Sequence, residues 1–122
     1  MIAALLSLWL AASPPGWWEG GPYQVGERWS ATDTAMEITY LSLHLADWAQ
    51  TRDTRFAEAN PILGPDPSLA KINTYFALTA VGHVAISALL PKCYRHLWQV
   101  PWIVAESIVV ANNRSIGVRM RF

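Results

Sequence analysis

With 122 residues, the chain has room for one domain with a core of its own and is too short for two ordinary ones. Lys plus Arg and Asp plus Glu balance at 9 each, which excludes both a basic field for nucleic acid and an acidic solvating tail. Hydrophobic residues make up 52% and charged residues only 15%, below the quarter or so of soluble chains, so the composition leans toward lipid.

Residues 1–12 form an uncharged apolar run that ends at Ser13-Pro14-Pro15-Gly16. Its length suits the hydrophobic stretch of an export signal better than a bilayer crossing of about 20 residues, and a retained anchor or fourth helix is the alternative. No Lys or Arg precedes the run, and Leu10 stands where a signal cleaved after Ala12 would prefer a small residue. Residues 13–31 are rich in Pro, Gly and Trp and read as a loop. The remainder, 32–122, reads as one helical domain.

The first helix is expected over 32–51, opened by Ser30-x-x-Asp33 or Thr34-x-x-Glu37, spacings that satisfy the first free amides. A charged connection follows, ending in a rigid turn marked by Glu58, Asn60, Pro61 and Gly64. Asn60 before Pro61 disfavours helix and can cap the next turn, while Glu58 can reach free amides. Asp66-Pro67 reads as N-cap and first helical residue of a second helix. From 72 to 90 there is no Asp, Glu, Lys or Arg, which makes this segment the best spanning candidate. Pro91 stops it, Lys92 and Arg95 mark the connection, and a third helix runs to about 113, with Pro101 as a kink or as its true first turn. The end, 114–122, reads as a short strand or an extended tail. Seven Trp residues lie mostly near segment ends, where an amphipathic ring suits a membrane interface or an aromatic core. The single Cys93 excludes an internal disulfide and reads as a packing residue. The fold expected is all-α: a small antiparallel bundle of three main helices plus the N-terminal apolar segment.

At about 100° per residue, Glu37, Tyr40, His44, Asp47 and Thr51 fall within roughly 80° of arc on the first helix. The remaining faces are apolar, the reverse of a soluble surface helix. Asn73, Ala80, His83 and Ser87 share a face of the second helix. Gln99, Glu106 and Asn113 recur every seven residues on the third, with only about 20° of drift per step. Three such seams escape lipid or a dry core only by facing one another, because an unpaired polar group there costs several kcal/mol. A buried polar network of Glu37, Tyr40, His44, Asp47, Asn73, His83, Gln99, Glu106 and Asn113 is therefore expected. It has two readings. In one it only fixes register, with His44 bonded to Asp47 and His83 paired with Glu106. In the other, His44, Asp47, His83 and Glu106 bind a divalent metal such as zinc, or handle protons, with Glu37 as supporting partner or general base.

The run Asp47-Trp48-Ala49-Gln50-Thr51, with Glu58-Ala59-Asn60-Pro61-Ile62-Leu63-Gly64-Pro65-Asp66-Pro67-Ser68 and Asn73-Thr74-Tyr75-Phe76-Ala77, resembles a group of uncharacterised small proteins encoded by phages and their bacterial hosts. More distantly the chain is similar to uncharacterised bacterial multi-helix membrane proteins that share an early Asp and a Glu-x-Asn-Pro turn. The closer group tends to begin with a signal-like segment, so the resemblance implies export. It carries no activity, cofactor or catalytic residue.

Neither Gly-x-Ser-x-Gly, nor a phosphate loop, nor a cysteine beside an activating base occurs. The first functional reading is a non-enzymatic protein of the inner membrane, or one exported to the periplasm, with an envelope or host-interaction role. Lipid is its expected partner, and a protein partner or a second copy is a further candidate. A metal-dependent hydrolase or proton-handling membrane protein is the alternative, and a periplasmic domain that binds an apolar ligand is the third. If all segments cross, Arg52, Arg55, Lys71, Arg114, Arg119 and Arg121 share one side, and Arg28, Lys92 and Arg95 the other, which favours a cytoplasmic C-terminus.

Overall fold

The computed structural model of the chain describes residues 28–53, 55 and 57–122. The signal or anchor at 1–12, and the loop expected over 13–31 up to residue 27, lie outside the described residues. Three helices follow in order: α1 (Ala31–Thr51), α2 (Leu69–Leu89) and α3 (Lys92–Ser115). They form the expected all-α antiparallel bundle.

Each boundary has a local cause. Ser30 caps α1: its hydroxyl accepts from the Asp33 amide at 3.1 Å, and the Asp33 carboxylate accepts from the Ser30 amide at 2.8 Å. This reciprocal box is the first of the two spacings considered. The start of α2 differs from expectation. Ser68, not Asp66, is the N-cap, its hydroxyl accepting from the Lys71 amide at 3.3 Å. Pro67 therefore stays in the turn. Pro91 separates α2 from α3, and α3 runs through Pro101 without ending. Pro101 is thus an interior residue and not a first turn; it removes one amide donor, on an exposed face.

The connection between α1 and α2 is tightly built. The Glu58 carboxylate accepts from the Asn60 amide at 2.7 Å, the Asn60 side-chain oxygen accepts from the Ile62 amide at 2.9 Å, and the Gly64 amide donates to the Asn60 carbonyl at 2.9 Å. Gly64 sits at φ 79°, the left-handed region that glycine enters without steric cost. The turn drives Leu63 into the bundle end, where it meets Ile72 and Phe76 under Trp48 and Tyr75. The tail folds back over this same end. The Arg121 amide donates to the Ala49 carbonyl at 2.7 Å, and no strand forms among the described residues.

α1 makes its broadest contact with α3, a smaller one with α2, and α2 touches α3 least. What these contacts enclose inverts the usual order. The buried apolar residues are Tyr40, Ala49, Leu63, Ile72 and Phe76, whereas Asp33, Glu37, His44, His83, Arg95, Gln99 and Glu106 are all buried. The outside is greasy: Ile38, Leu78, Val81 and Ile108 are 60%, 67%, 68% and 64% exposed.

Candidate functional site

The polar seams meet in a column along the bundle interior, anchored on α1, where Asp33, Glu37, Tyr40, His44 and Asp47 recur at alternating spacings of four and three. That is close to the 3.5-residue repeat that holds a seam against neighbouring helices. In most helix bundles such positions are apolar. Here they carry ionisable groups.

At the end nearest the α1 N-terminus, Asp33 and Arg95 are fully buried and joined at 3.0 Å from Nη1 to Oδ2. Arg95 Nε also donates to the Ser87 carbonyl at 2.8 Å, and its guanidinium lies 5.2 Å from the Trp29 ring centroid. His96 Nε2 stands 2.9 Å from Asp33 Oδ1, an ion-pair distance. One turn further in, Gln99 donates to both the Asp33 carbonyl at 3.1 Å and Glu37 Oε2 at 2.8 Å. The other Glu37 oxygen, Oε1, lies 2.8 Å from Nδ1 of His83.

Tyr40 occupies the middle. Its ring stacks on His83 with centroids 3.7 Å apart and on His44 at 5.2 Å. Trp98 also stacks on His83, with centroids 5.4 Å apart. Below Tyr40, His44 Nδ1 pairs with Glu106 Oε1 at 2.7 Å. Its Nε2 reaches the Thr79 hydroxyl at 2.9 Å and the Phe76 carbonyl at 3.2 Å. Lower still, the Asn113 amide donates to Asp47 at 3.3 Å and to Gln50 at 3.2 Å.

The column ends outside the helices at Asp53, which is 3% exposed. Arg55 Nε donates to it at 2.8 Å, the Arg119 amide at 3.0 Å, and Arg121 Nε stands 3.7 Å away. The Arg55 hydrogen bond, and next the Arg119 amide, hold this carboxyl far below the usual range against the opposing effect of burial. Tail and α1 are thereby tied together.

Measured against expectation, Glu37, Tyr40, His44, His83, Gln99 and Glu106 come together in the interior, and Asp47 and Asn113 lie half-buried at one end. Asn73 does not join them. It is exposed and accepts from the Trp48 indole at 2.9 Å. The expected pairing is also exchanged: His44 bonds Glu106 on α3 and not Asp47, and His83 bonds Glu37 on α1 and not Glu106. Residues three apart on α1 point along one face, whereas the facing helices present their groups directly across the seam. The four proposed metal ligands consequently divide among three separate contacts. Among the described residues no three His, Cys, Asp or Glu converge as a metal would need. Asp33 and Arg95 escape notice in the sequence because each has a plain local reading, helix cap and connection charge. Arg95 in fact extends the Gln99, Glu106 and Asn113 seam four residues upstream.

The arrangement can fix register through three buried charge or His–carboxylate contacts, and it can store and exchange protons. No family model, curated protein or solved structure matches the chain.

Proposed function

We propose that the chain is an inner-membrane protein whose three helices cross the bilayer with their greasy faces toward lipid, serving a non-enzymatic role at the bacterial envelope, directed at the host. The observation that carries this reading is the inverted burial. Water rewards hiding Ile38, Leu78, Val81 and Ile108 and hydrating Glu37, His83 and Glu106; this chain does the opposite. In hydrocarbon the same order is favourable, because polar groups satisfied between helices hold the bundle while apolar groups meet lipid tails.

α2 adds support. It is 21 residues long, about 30 Å of helix at 1.5 Å per residue, and long and apolar enough to cross a bilayer. The core helix of a soluble protein can match that composition but is mostly buried, whereas only 22% of this apolar window is. The likeness to phage-encoded helical proteins agrees with a small envelope-directed product.

The C-terminal tail lies against the end of α1, so Arg52, Arg55, Arg119 and Arg121 cluster at one end of the bundle, the cytoplasmic one on the positive-inside tendency. Cys93, the single cysteine, is exposed at the opposite end. The test is fractionation of expressing cells followed by labelling with a membrane-impermeant maleimide. The protein is expected in the carbonate-resistant membrane fraction, with Cys93 modified in intact cells. Recovery in the soluble fraction overturns the reading, and Cys93 modified only after lysis overturns the orientation.

A further inference from the structure

The outer surface of α2 is not uniform along its length. Where the turn after α1 meets the first turns of α2, Ile62 and Leu63 on one side and Thr74, Tyr75 and Leu78 on the other wall an open groove of about 410 Å³. Its surface is mostly apolar, and Lys71 is the charged residue in its lining.

Two observations separate this groove from the rest of the greasy exterior. The first is a fixed cation. Lys71 Nζ donates to the Leu63 carbonyl at 2.7 Å, which holds the ammonium at the groove and leaves two of its three protons for another acceptor. No carboxylate lines the groove among the described residues, and Glu58 and Asp66 line a separate cavity together with Arg55. The second is where this cation sits on the helix. The first turn of α2 carries Lys71 and no acidic residue, against the usual preference for carboxylates at a helix N-terminus. The positive end of the helix dipole and the ammonium therefore add, and both favour an anion at the rim.

We propose that the groove binds one anionic phospholipid of the cytoplasmic leaflet, with the headgroup phosphate on Lys71 and one acyl chain along Tyr75 and Leu78. This rests on the membrane reading above, which sets the N-terminal end of α2 at the cytoplasmic face. From Lys71 to Leu78 the helix covers seven residues, about 10 Å, so the groove leads from headgroup depth into the hydrocarbon, the course an acyl chain takes. Leu78 and Ile62 are 67% and 66% exposed, and a chain meets them without displacing a protein contact. Tyr75 packs inward against Leu63, Ile72 and Phe76, so the bundle itself holds the groove in shape. Headgroup charge decides between lipids. A choline headgroup brings its own cation to compete with Lys71 for the phosphate, whereas a glycerol headgroup leaves the phosphate charge to the protein and matches the anionic character of that leaflet. A soluble phosphate would satisfy the rim and leave the apolar walls unused.

The experiment extracts the full chain from membranes in an uncharged detergent, after carbonate resistance has been checked, and counts retained lipid by native mass spectrometry. Phosphatidylglycerol and phosphatidylcholine with the same acyl chains are the probes. The parent is expected to retain phosphatidylglycerol about fivefold more than phosphatidylcholine, the ratio that one basic residue near a lipid charge supplies. Lys71→Gln should bring the two lipids level. Thr74→Trp, which fills the groove from an exposed position, should lose both. Arg114→Gln removes an equal charge from the exposed end of α3 and should bind like the parent. Excess glycerol phosphate should displace nothing. Equal retention of the two lipids by the parent overturns the proposal, as does a loss in Arg114→Gln equal to that in Lys71→Gln. Displacement by glycerol phosphate assigns the site to a soluble phosphate, and a lipid-free dimer puts a second copy of the chain on this face; either overturns the lipid. All these outcomes leave the membrane reading standing. Recovery of the parent in the soluble fraction overturns that reading, and the lipid site with it.

Discussion

Replacing Glu106 by leucine removes the carboxylate that stands 2.7 Å from His44 Nδ1 and leaves that buried nitrogen without its partner on α3. Breaking a buried pair from one side typically costs roughly 3–5 kcal/mol, whereas replacing both partners by apolar groups of similar size is often neutral. Glu106→Leu should therefore lower unfolding stability in detergent by about that amount, and adding His44→Phe should restore most of it. The ring of His44 lies 4.8 Å from Phe76, so a phenyl group has an aromatic neighbour ready. Equal losses in the single and double variants would show that the pair is not the unit of stability. Asp53 makes a different prediction, because its carboxyl is held below its ordinary value first by the Arg55 hydrogen bond. A depressed folded-state value stabilises above the unfolded value of about 3.9, and the benefit is lost as pH falls toward the folded one. Asp53→Asn should thus melt lower than the parent at pH 7, and the gap should narrow steadily once the pH drops below about 4. A gap independent of pH would mean that the tail is held by shape and not by this charge.

At the scale of elements, what the sequence makes legible depends on whether one local rule decides. α1 begins where Ser30 and Asp33 complete a capping box, and loss of such a cap costs typically about 1 kcal/mol. Ser30→Ala is expected to reduce stability by that order while leaving helicity by circular dichroism nearly unchanged; a loss below a few tenths would assign the start of α1 to tertiary packing. The second helix is harder to delimit. Asp66-Pro67 and Ser68 both carry start chemistry, and the Gly64 turn, by seating Leu63 against Ile72, selects the later one. Periodicity identifies which faces are polar, so Glu37, His44, His83, Gln99 and Glu106 can be assigned to the interior from spacing alone. Partners are another matter. A seven-residue repeat gives the face but not the axial offset between helices, and that offset decides that His44 meets Glu106 and that His83 meets Glu37. Asn73 shows the limit of a helical wheel. It sits near the α2 start, where the bundle end is filled by Leu63 and Trp48, and its angular position no longer implies burial.

For the whole molecule, the decisive property is which solvent the outer surface expects. Val81 lies at the middle of α2, 68% exposed and beside Leu78, also exposed. In water, Val81→Lys would add a solvated charge to an open surface, leave the fold nearly unaffected, and improve solubility. In a bilayer the same substitution places an ammonium group near the hydrocarbon centre, at about 3 kcal/mol on insertion scales. α2 is otherwise free of charge from 72 to 90, so nothing nearby offsets it. Because Val81 lies eight residues before the helix end at Leu89 and twelve after its start at Leu69, roughly 12 and 18 Å along the axis, the lysine stem cannot reach either interface without distorting the helix. The expected result is a sharp fall in the carbonate-resistant fraction for Val81→Lys. Leu69→Lys, at the first turn of α2 where the headgroups lie, should insert like the parent. His83→Lys adds charge on the inner face beside Glu37, so it separates the two surfaces: a deficit set by lipid exposure makes Val81→Lys the worse inserter of the two. If Val81→Lys instead stays membrane-bound, or yields a soluble and folded chain, the apolar exterior faces another protein or a second copy of this chain, and the polar column is the interior of a larger assembly.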